Sequence, residues 1–111
     1  MGAGLREFES LVLVAVAGLG ADAYGLPIHH RLEEMTGRSI AMGQVYTALS
    51  RLADRGYLAS TIGPPTQKRG GRRTRVYRIE PAGADVLRSS HAAYVDLART
   101  IEGVLPKLSE I

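Results

Sequence analysis

The stretch that decides the fold is MGQVYTALSRLADR, at residues 42–55, which is followed at once by Gly56. At about 100° per residue, Val45, Leu49 and Leu52 fall within one narrow arc, so the stretch predicts a helix with one buried face. The opposite arc is close to neutral and rich in hydrogen-bonding groups; it holds Gln44, Thr47, Ser50, Arg51 and Asp54. The stretch therefore predicts an amphipathic helix with a short polar face.

A β-hairpin is predicted directly after this helix, with strands at residues 57–62 and 75–79. Val76 and Arg78 alternate with Tyr77 and Ile79, as a half-buried strand requires. The glycines and prolines at residues 63–65 and 70–71 break the pairing and predict a long loop between the strands. Positive charge is concentrated towards this loop, in Lys68, Arg69, Arg72, Arg73 and Arg75.

The charge of the chain is small in sum and uneven in distribution. The formal net charge is +3, yet six of the 14 lysines and arginines lie between Lys68 and Arg78, with no acidic residue among them. A localised positive lobe indicates contact with a polyanion, although a solvated loop is the alternative for a charge run alone. A polar helix face that suits the major groove of DNA, followed by a hairpin that suits phosphate, predicts a winged helix-turn-helix.

Two more helices are predicted before the decisive stretch. Residues 5–19 form a helix with almost no polar face after Phe8, which is buried either by a partner subunit or as a central core helix. Residues 24–36 form the next helix, with Asp22 as its N-cap, Pro27 in its first turn and Gly37 as a left-handed C-cap. Its inner stripe is predicted to be Tyr24, Ile28, Leu32 and Met35.

A long last helix is predicted from Pro81, a residue that suits the first helical turn. Its apolar positions recur at alternating steps of four and three, which is the seam of a helix that packs on another helix. Gly103 and Pro106 predict a kink, or a helix end near Val104. We expect this helix and the first one to form a dimer interface. The predicted interface residues are Phe8, Leu11, Val12, Leu87, His91, Tyr94, Ala98, Ile101 and Leu105.

The expected fold class is mainly α with a small β-hairpin (α+β), built as one compact unit. Residues 1–80 are the winged helix-turn-helix domain for DNA binding, and residues 81–111 are the dimerisation helix. The chain of 111 residues contains no cysteine, which excludes disulfides and thiolate metal sites. No segment reaches the ~20 apolar residues of a membrane span, and no signal peptide is expected, so a cytoplasmic protein without a membrane partner is predicted.

The polar face of helix 42–55 is the predicted reading surface. Gln44 has the chemistry to read adenine and Arg51 guanine, while Thr47 or Ser50 suits a phosphate or a thymine methyl group. Tyr46, at the edge of that face, suits a phosphate. The alternative is an ordinary amphipathic surface helix. The full predicted DNA-binding set is Gln44, Tyr46, Thr47, Ser50, Arg51, Lys68, Arg69, Arg72, Arg73 and Arg75.

Catalysis and metal binding find no support in the sequence. His29 and His30 are adjacent, so they point about 100° apart on a helix and do not chelate one ion together. His91 on the seam is more typical of a packed interface than of a ligand. Because no nucleophile elbow, phosphate-binding glycine loop or metal cluster is present, we expect no enzyme activity, no cofactor and no catalytic residue.

Several short motifs together resemble the PadR family of bacterial transcriptional regulators. The matching segments are Tyr24-Gly25, residues 43–52, Gly56-Tyr57-Leu58, residues 71–79 and Pro81-Ala82-Gly83. The resemblance is to the compact type with a single C-terminal helix. It implies a homodimeric winged-helix protein, usually a repressor, that pairs through its terminal helices. The family pattern carries over to Gly43, Tyr46, Leu49, Leu52, Gly56, Arg72, Arg73 and Tyr77.

The sequence departs from the family pattern at two helix starts and lacks one feature of its ligand sites. Ala41 stands where a hydroxyl N-cap is common, and Glu80 stands where a threonine usually precedes the last helix. Some members bind planar aromatic ligands, often against tryptophan, but this chain has no Trp and we name no effector. The leading hypothesis is a homodimeric repressor on an inverted-repeat operator, acting through helix 42–55 and wing 63–75. The alternative is a winged-helix module that binds protein without DNA.

Overall fold

The structure is a computed structural model that describes residues 5–63 and 74–111. In chain order its elements are α1 (Glu7–Leu19), a short 3-10 turn (Gly20–Asp22), α2 (Gly25–Thr36), α3 (Met42–Asp54), β1 (Leu58–Ile62), β2 (Arg75–Ile79) and α4 (Pro81–Leu108). The predicted class and order of elements are confirmed. The predicted bounds agree with the structure within two residues, except at the end of α4.

The hydrophobic core lies where α1, α2 and α3 meet the hairpin. Helix α1 contributes Val12, Leu13, Ala15 and Val16, each at most 1% exposed. Of the two explanations for this apolar helix, the central core helix accounts for most of its surface, because only a narrow strip that includes Val14 faces outwards. The other core residues are Ala23, Ile28, Leu32, Ile40, Val45, Ala48, Leu49, Leu52, Leu58 and Tyr77.

Helix α2 begins later than predicted and without the predicted cap. Tyr24 is its N-cap, no side chain caps the helix, and Asp22 lies in the preceding 3-10 turn. Of the predicted inner stripe, Ile28 and Leu32 are fully buried, but Met35 is 39% exposed because it lies at the last turn, beyond the core. Gly37 ends the helix in the predicted left-handed conformation, with φ 68° and ψ 17°.

The two strands pair antiparallel, with Leu58 opposite Ile79 and Ile62 opposite Arg75. The amide of Gly63 donates to the carbonyl oxygen of Thr74 at 2.7 Å, which carries the pairing one step towards the loop. On the other edge of β2, the amide of Tyr77 donates to the carbonyl oxygen of Ala23 at 2.8 Å. Hydrogen bonds therefore join the two strands of the hairpin to each other and join β2 to the segment that precedes α2.

Helix α4 is 28 residues long and leaves the core early. Gly83 is its only buried residue, and all residues after Val95 are exposed. The helix does not end near Val104, because it continues through Gly103 and Pro106 to Leu108. A helix of this length spans about 42 Å, so its second half extends beyond the rest of the chain.

Candidate nucleic-acid interface

The turn between α2 and α3 is held by hydrogen bonds that start from one face of α2. The Ile40 amide donates to Glu33 Oε2 at 2.9 Å, and His29 Nε2 lies 2.6 Å from the Ile40 carbonyl oxygen. Ile40 itself is buried. At the end of α2, the Gly37 amide donates to the Glu33 carbonyl oxygen at 2.8 Å. These contacts set the angle between the two helices, which is what a helix-turn-helix needs to present α3.

The inner face of α3 holds the helix against the core, as predicted. Val45, Leu49 and Leu52 are fully buried, and Ala48 is 5% exposed. Ala41 is the N-cap and provides no side-chain hydrogen bond, so the first amides of α3 lack a side-chain acceptor. The Gln44 amide instead donates to the Ala41 carbonyl oxygen at 3.0 Å.

The outer face of α3 carries all five of its predicted DNA-binding residues. Gln44, Tyr46, Thr47, Ser50 and Arg51 are exposed. Gly43 and Asp54 share this face, and Gly43 has open space around its α carbon. The structure thus brings a hydrogen-bonding surface about three turns long together on one helix, without a neighbouring element that covers it in the described residues.

Tyr46 forms one edge of this surface and contacts α2. A β-carbon on Gly25, the first residue of α2, would lie 2.9 Å from Tyr46 Cζ and 3.2 Å from its Cε1, closer still to its hydroxyl. The ring nevertheless stays about half exposed. The Tyr46 hydroxyl is therefore presented at the start of α2, at the border of the outer face of α3.

Tyr77, on β2, packs into the core close to Tyr46 and so attaches the hairpin to the helices. Burial raises the pKa of its hydroxyl above the ordinary value of 10.0, the positive charge of Arg75 opposes the rise, and the proximity of Tyr46 adds to it. Tyr77 is 8% exposed and belongs to the core. The neutral hydroxyl is thus the favoured form of this side chain in the folded protein.

Only part of the predicted basic wing lies within the described residues. Lys68, Arg69, Arg72 and Arg73 lie outside them. Arg75 is the first residue of β2 and its Nη1 donates to Ser60 Oγ at 2.8 Å, so it belongs to the paired strand. Its guanidinium remains at the exposed surface, on the side of the hairpin that leads to the wing.

The predicted dimer residues comprise an exposed group, a half-buried group and one buried residue. His91, Tyr94, Ala98, Ile101 and Leu105 are exposed along α4. Leu87, Phe8 and Leu11 are half-buried. Val12 is a correction, because it is completely buried inside the monomer and offers no surface to a partner.

A groove separates the start of α4 from the outward strip of α1. Leu11 and Val14 line one side, Leu87, His91 and Tyr94 line the other, and its volume is about 530 Å³. The exposed apolar side chains continue down α4 from this groove, through Leu97, Ile101, Val104, Leu105 and Leu108. The result is an apolar surface that a second helix can cover.

The sequence prediction missed a cleft on the other side of α3, where the chain enters α1. Arg6 and Glu9 face Gln44, Thr47 and Arg51 across a volume of about 300 Å³. Glu9 is the one signal in the sequence for this cleft, since it is an acidic residue at the start of an otherwise apolar helix. Its partner Arg55 lies 46 residues away, and sequence spacing does not reveal such a pair.

Neither a metal centre nor a membrane span is found in the part of the chain that the structure describes. No group of three or more His, Asp or Glu side chains there has a metal-binding arrangement. Among the same residues, no helix combines the length and apolar character needed to cross a bilayer.

Comparison with known proteins gives a family match over most of the chain. The model of the transcriptional regulator PadR-like family matches residues 12–89. No protein of curated function matches the chain.

Solved structures share the fold closely. The chain resembles a PadR-like transcriptional regulator from Bacillus cereus, at 17% identity and a TM-score of 0.74, covering 88% of this chain and 90% of that one. A PadR family regulator from Eggerthella lenta is 26% identical with a TM-score of 0.71, covering 88% and 80% of the two chains. A protein from Streptococcus mutans is 25% identical with a TM-score of 0.73, covering 96% and 94%.

These comparisons agree with the winged-helix fold. They bear out the expectation of a regulator in place of an enzyme, because the matching family consists of transcriptional regulators. The chain belongs to the PadR-like family of DNA-binding transcriptional regulators.

Proposed function

We propose that the protein is a homodimeric repressor that binds an inverted-repeat operator through α3 and the wing at residues 63–75. The observation that carries the proposal is the outer face of α3, where five hydrogen-bonding side chains are exposed. The helix is held in place by the hydrogen-bonded turn between α2 and α3. A helix presented in this way suits the major groove, where base edges carry a distinct pattern of donors and acceptors.

The proposed roles divide into base reading and phosphate binding. Gln44 suits adenine and Arg51 suits guanine, because each side chain makes two parallel hydrogen bonds to those bases. Thr47 and Ser50 suit a phosphate or a thymine methyl group, and Tyr46 suits a phosphate at the edge of the groove. Lys68, Arg69, Arg72, Arg73 and Arg75 supply salt-dependent affinity by displacing counterions from phosphate.

The dimer is proposed from the surface of α4. Its apolar stripe includes Tyr94, Leu97, Ile101 and Leu105, which are between 43% and 56% exposed. Contiguous exposed apolar side chains of this kind mark interaction surfaces. A second copy covers the same stripe with its own, since a two-fold axis pairs identical surfaces. Two α3 helices related by that axis read half-sites about 10 bp apart, or a multiple of this spacing.

The proposed setting is the cytoplasm, with operator DNA and a second copy of the chain as partners and no cofactor. Neither the groove beside α4 nor the sequence specifies a small-molecule effector. The competing proposal, a winged-helix module that binds protein, keeps the dimer and predicts no salt-sensitive affinity for DNA.

The experiment that tests the proposal is a selection of binding sites from random duplex DNA with the purified protein, followed by salt titration of the best site. We expect an inverted repeat bound by two copies, with affinity that falls steeply as salt rises. Failure to enrich any sequence, with no salt-sensitive binding to DNA, would favour the protein-binding module. A reporter gene that carries the selected site in its promoter then tests the sign of regulation.

The wing is tested on the selected site by replacing Arg72 and Arg73 with alanine. The double variant should bind all DNA sequences more weakly, and its log–log salt slope should flatten by up to about two units. Arg99→Ala, on the exposed surface of α4, serves as the control for loss of positive charge away from DNA. A log–log salt slope in the double variant equal to that of the wild type would show that the wing does not contact DNA phosphate.

A further inference from the structure

The cleft between the start of α1 and the outer face of α3 carries positive charge outside both the helix-turn-helix and the wing. Arg6, the N-cap residue of α1, lines this cleft together with Arg51 of α3. Both side chains are exposed. In the described part of the chain, neither guanidinium group has an ion pair or a hydrogen bond with a side chain or a backbone oxygen.

The one carboxylate in the cleft is already occupied. Glu9 Oε1 accepts a hydrogen bond from the Arg6 amide at 3.0 Å and lies 3.3 Å from Arg55 Nη1. The Glu9 side chain is 7% exposed, and Arg55 is held further by the face of the Tyr57 ring, 4.8 Å from its centroid. Glu9 is therefore compensated by Arg55, which leaves the positive charges of Arg6 and Arg51 available to an anion from outside.

The cleft opens along the reading face of α3. Gln44 and Arg51 are seven residues apart, which places them nearly in line on a helix, and both line the cleft with Thr47 between them. A helix that enters a groove of DNA has a phosphate backbone along each side. Tyr46 is on the side that faces α2, and Arg6 stands beside the opposite, Gln44–Arg51 side.

We propose that Arg6 binds a phosphodiester of the DNA strand that borders the groove occupied by α3, on the α1 side. This inference rests on the proposed function, because it needs DNA against the outer face of α3. Arg51 remains the base-facing cation of the cleft, and Arg6 supplies a contact to the backbone that fixes register without reading sequence. The DNA interface thereby extends from the helix-turn-helix and wing to the start of α1.

The first test compares Arg6→Ala with Arg99→Ala in salt titrations on the selected operator and on random DNA. Arg6→Ala should weaken binding to both DNAs by the same factor and reduce the log–log salt slope by about 0.9, the value for one phosphate on duplex DNA. Arg99→Ala should match the wild type. Arg51→Ala should instead reduce the preference for the operator over random DNA. Only the side chain of Arg6 is removed, so its backbone contact to Glu9 remains and the variant is expected to fold.

The second test locates the phosphate by replacing single operator phosphates with uncharged methylphosphonates. One position beside the recognised bases should weaken binding of the wild type and leave binding of Arg6→Ala unchanged. Arg6→Lys should restore sensitivity to that position. A slope and a methylphosphonate profile identical in Arg6→Ala and wild type would overturn this inference alone, whereas a wild type that binds no DNA would overturn the proposed function and this inference with it.

Discussion

The ring of Tyr46 on α3 lies over the backbone of Gly25 at the first turn of α2, at a distance that leaves no room for a side chain on Gly25. Gly25 is buried by this contact although it stands at a helix start. Gly25 does not have a positive φ, so the need for glycine arises from the tyrosine above it and not from backbone strain. The edge of the proposed reading surface is therefore set by a contact between the two helices of the helix-turn-helix.

We expect Gly25→Ala to displace Tyr46 and to weaken operator binding. Because the ring is half exposed and can swing outwards, the loss of folding free energy should be about 1 kcal/mol, at the low end for overpacking. The measurement is a double-mutant cycle for DNA affinity with Tyr46→Ala. A coupling of about 1 kcal/mol between the two sites would support the contact, and purely additive effects would show that Gly25 and Tyr46 act separately.

A substitution of Gly83, at the start of α4, should lower stability more than Gly25→Ala does. A β-carbon there would overlap the Tyr57 carbonyl oxygen and lie 3.0 Å from its carbon. That carbonyl group is held in place because it accepts the Glu80 amide at 2.9 Å. Gly83→Ala should therefore lower the free energy of unfolding by about 1–3 kcal/mol, measured by thermal or urea denaturation.

Gly103 gives the matched control for this prediction on the same helix. It has open space around its α carbon and no positive φ. Gly103→Ala should raise stability by up to about 1 kcal/mol, since alanine favours a helix interior over glycine. Equal effects of the two substitutions would show that the contact between Gly83 and Tyr57 does not constrain the fold.

The apolar stripe of α4 predicts that Ile101→Asp converts the proposed dimer into monomers. The substitution would place a charge in the centre of the proposed helix–helix contact, where it loses its hydration. Arg99→Ala changes the net charge by the same amount on the opposite side of α4 and should leave the dimer intact. Sedimentation equilibrium of both variants checks this, and a dimeric Ile101→Asp protein would place the interface elsewhere.

Tyr77 predicts a loss of stability at alkaline pH. Since burial raises the pKa of its hydroxyl above the unfolded value of 10.0, the neutral group contributes its full stability below pH 10. The contribution is lost as the pH rises from 10 towards the folded pKa. Urea denaturation at pH 9 and above pH 10 should therefore show a smaller alkaline loss for Tyr77→Phe than for wild type. Parallel losses in the two proteins would assign the alkaline effect to other groups.

Much of the fold follows from short-range patterns. The spacing of Val45, Leu49 and Leu52 predicts the buried face of α3, Gly37 predicts the end of α2, and Pro81 predicts the start of α4. Each of these signals acts within one or two helical turns, so the sequence alone carries it. The exposed face of α3 follows from the same periodicity, as the complement of the buried face.

The errors arise where distant contacts or the ends of elements decide the outcome. Asp22 has a side chain that suits a helix N-cap, but it lies in the 3-10 turn, and Tyr24 is the N-cap of α2. Val12 is as apolar as Leu11, and only the packing of α1 decides which of them points into the core. Pro106 lies in the last turns of α4, where the loss of one backbone donor does not end the helix.

Base reading by the exposed face of α3 is tested most directly by a binding-site selection with Gln44→Ala beside the wild type. The variant should recover the same inverted repeat with one or two positions in each half-site relaxed. On the wild-type site, each lost bidentate contact should cost on the order of 1–3 kcal/mol of discrimination. An unchanged motif, or equal losses on operator and random DNA, would contradict base reading at Gln44.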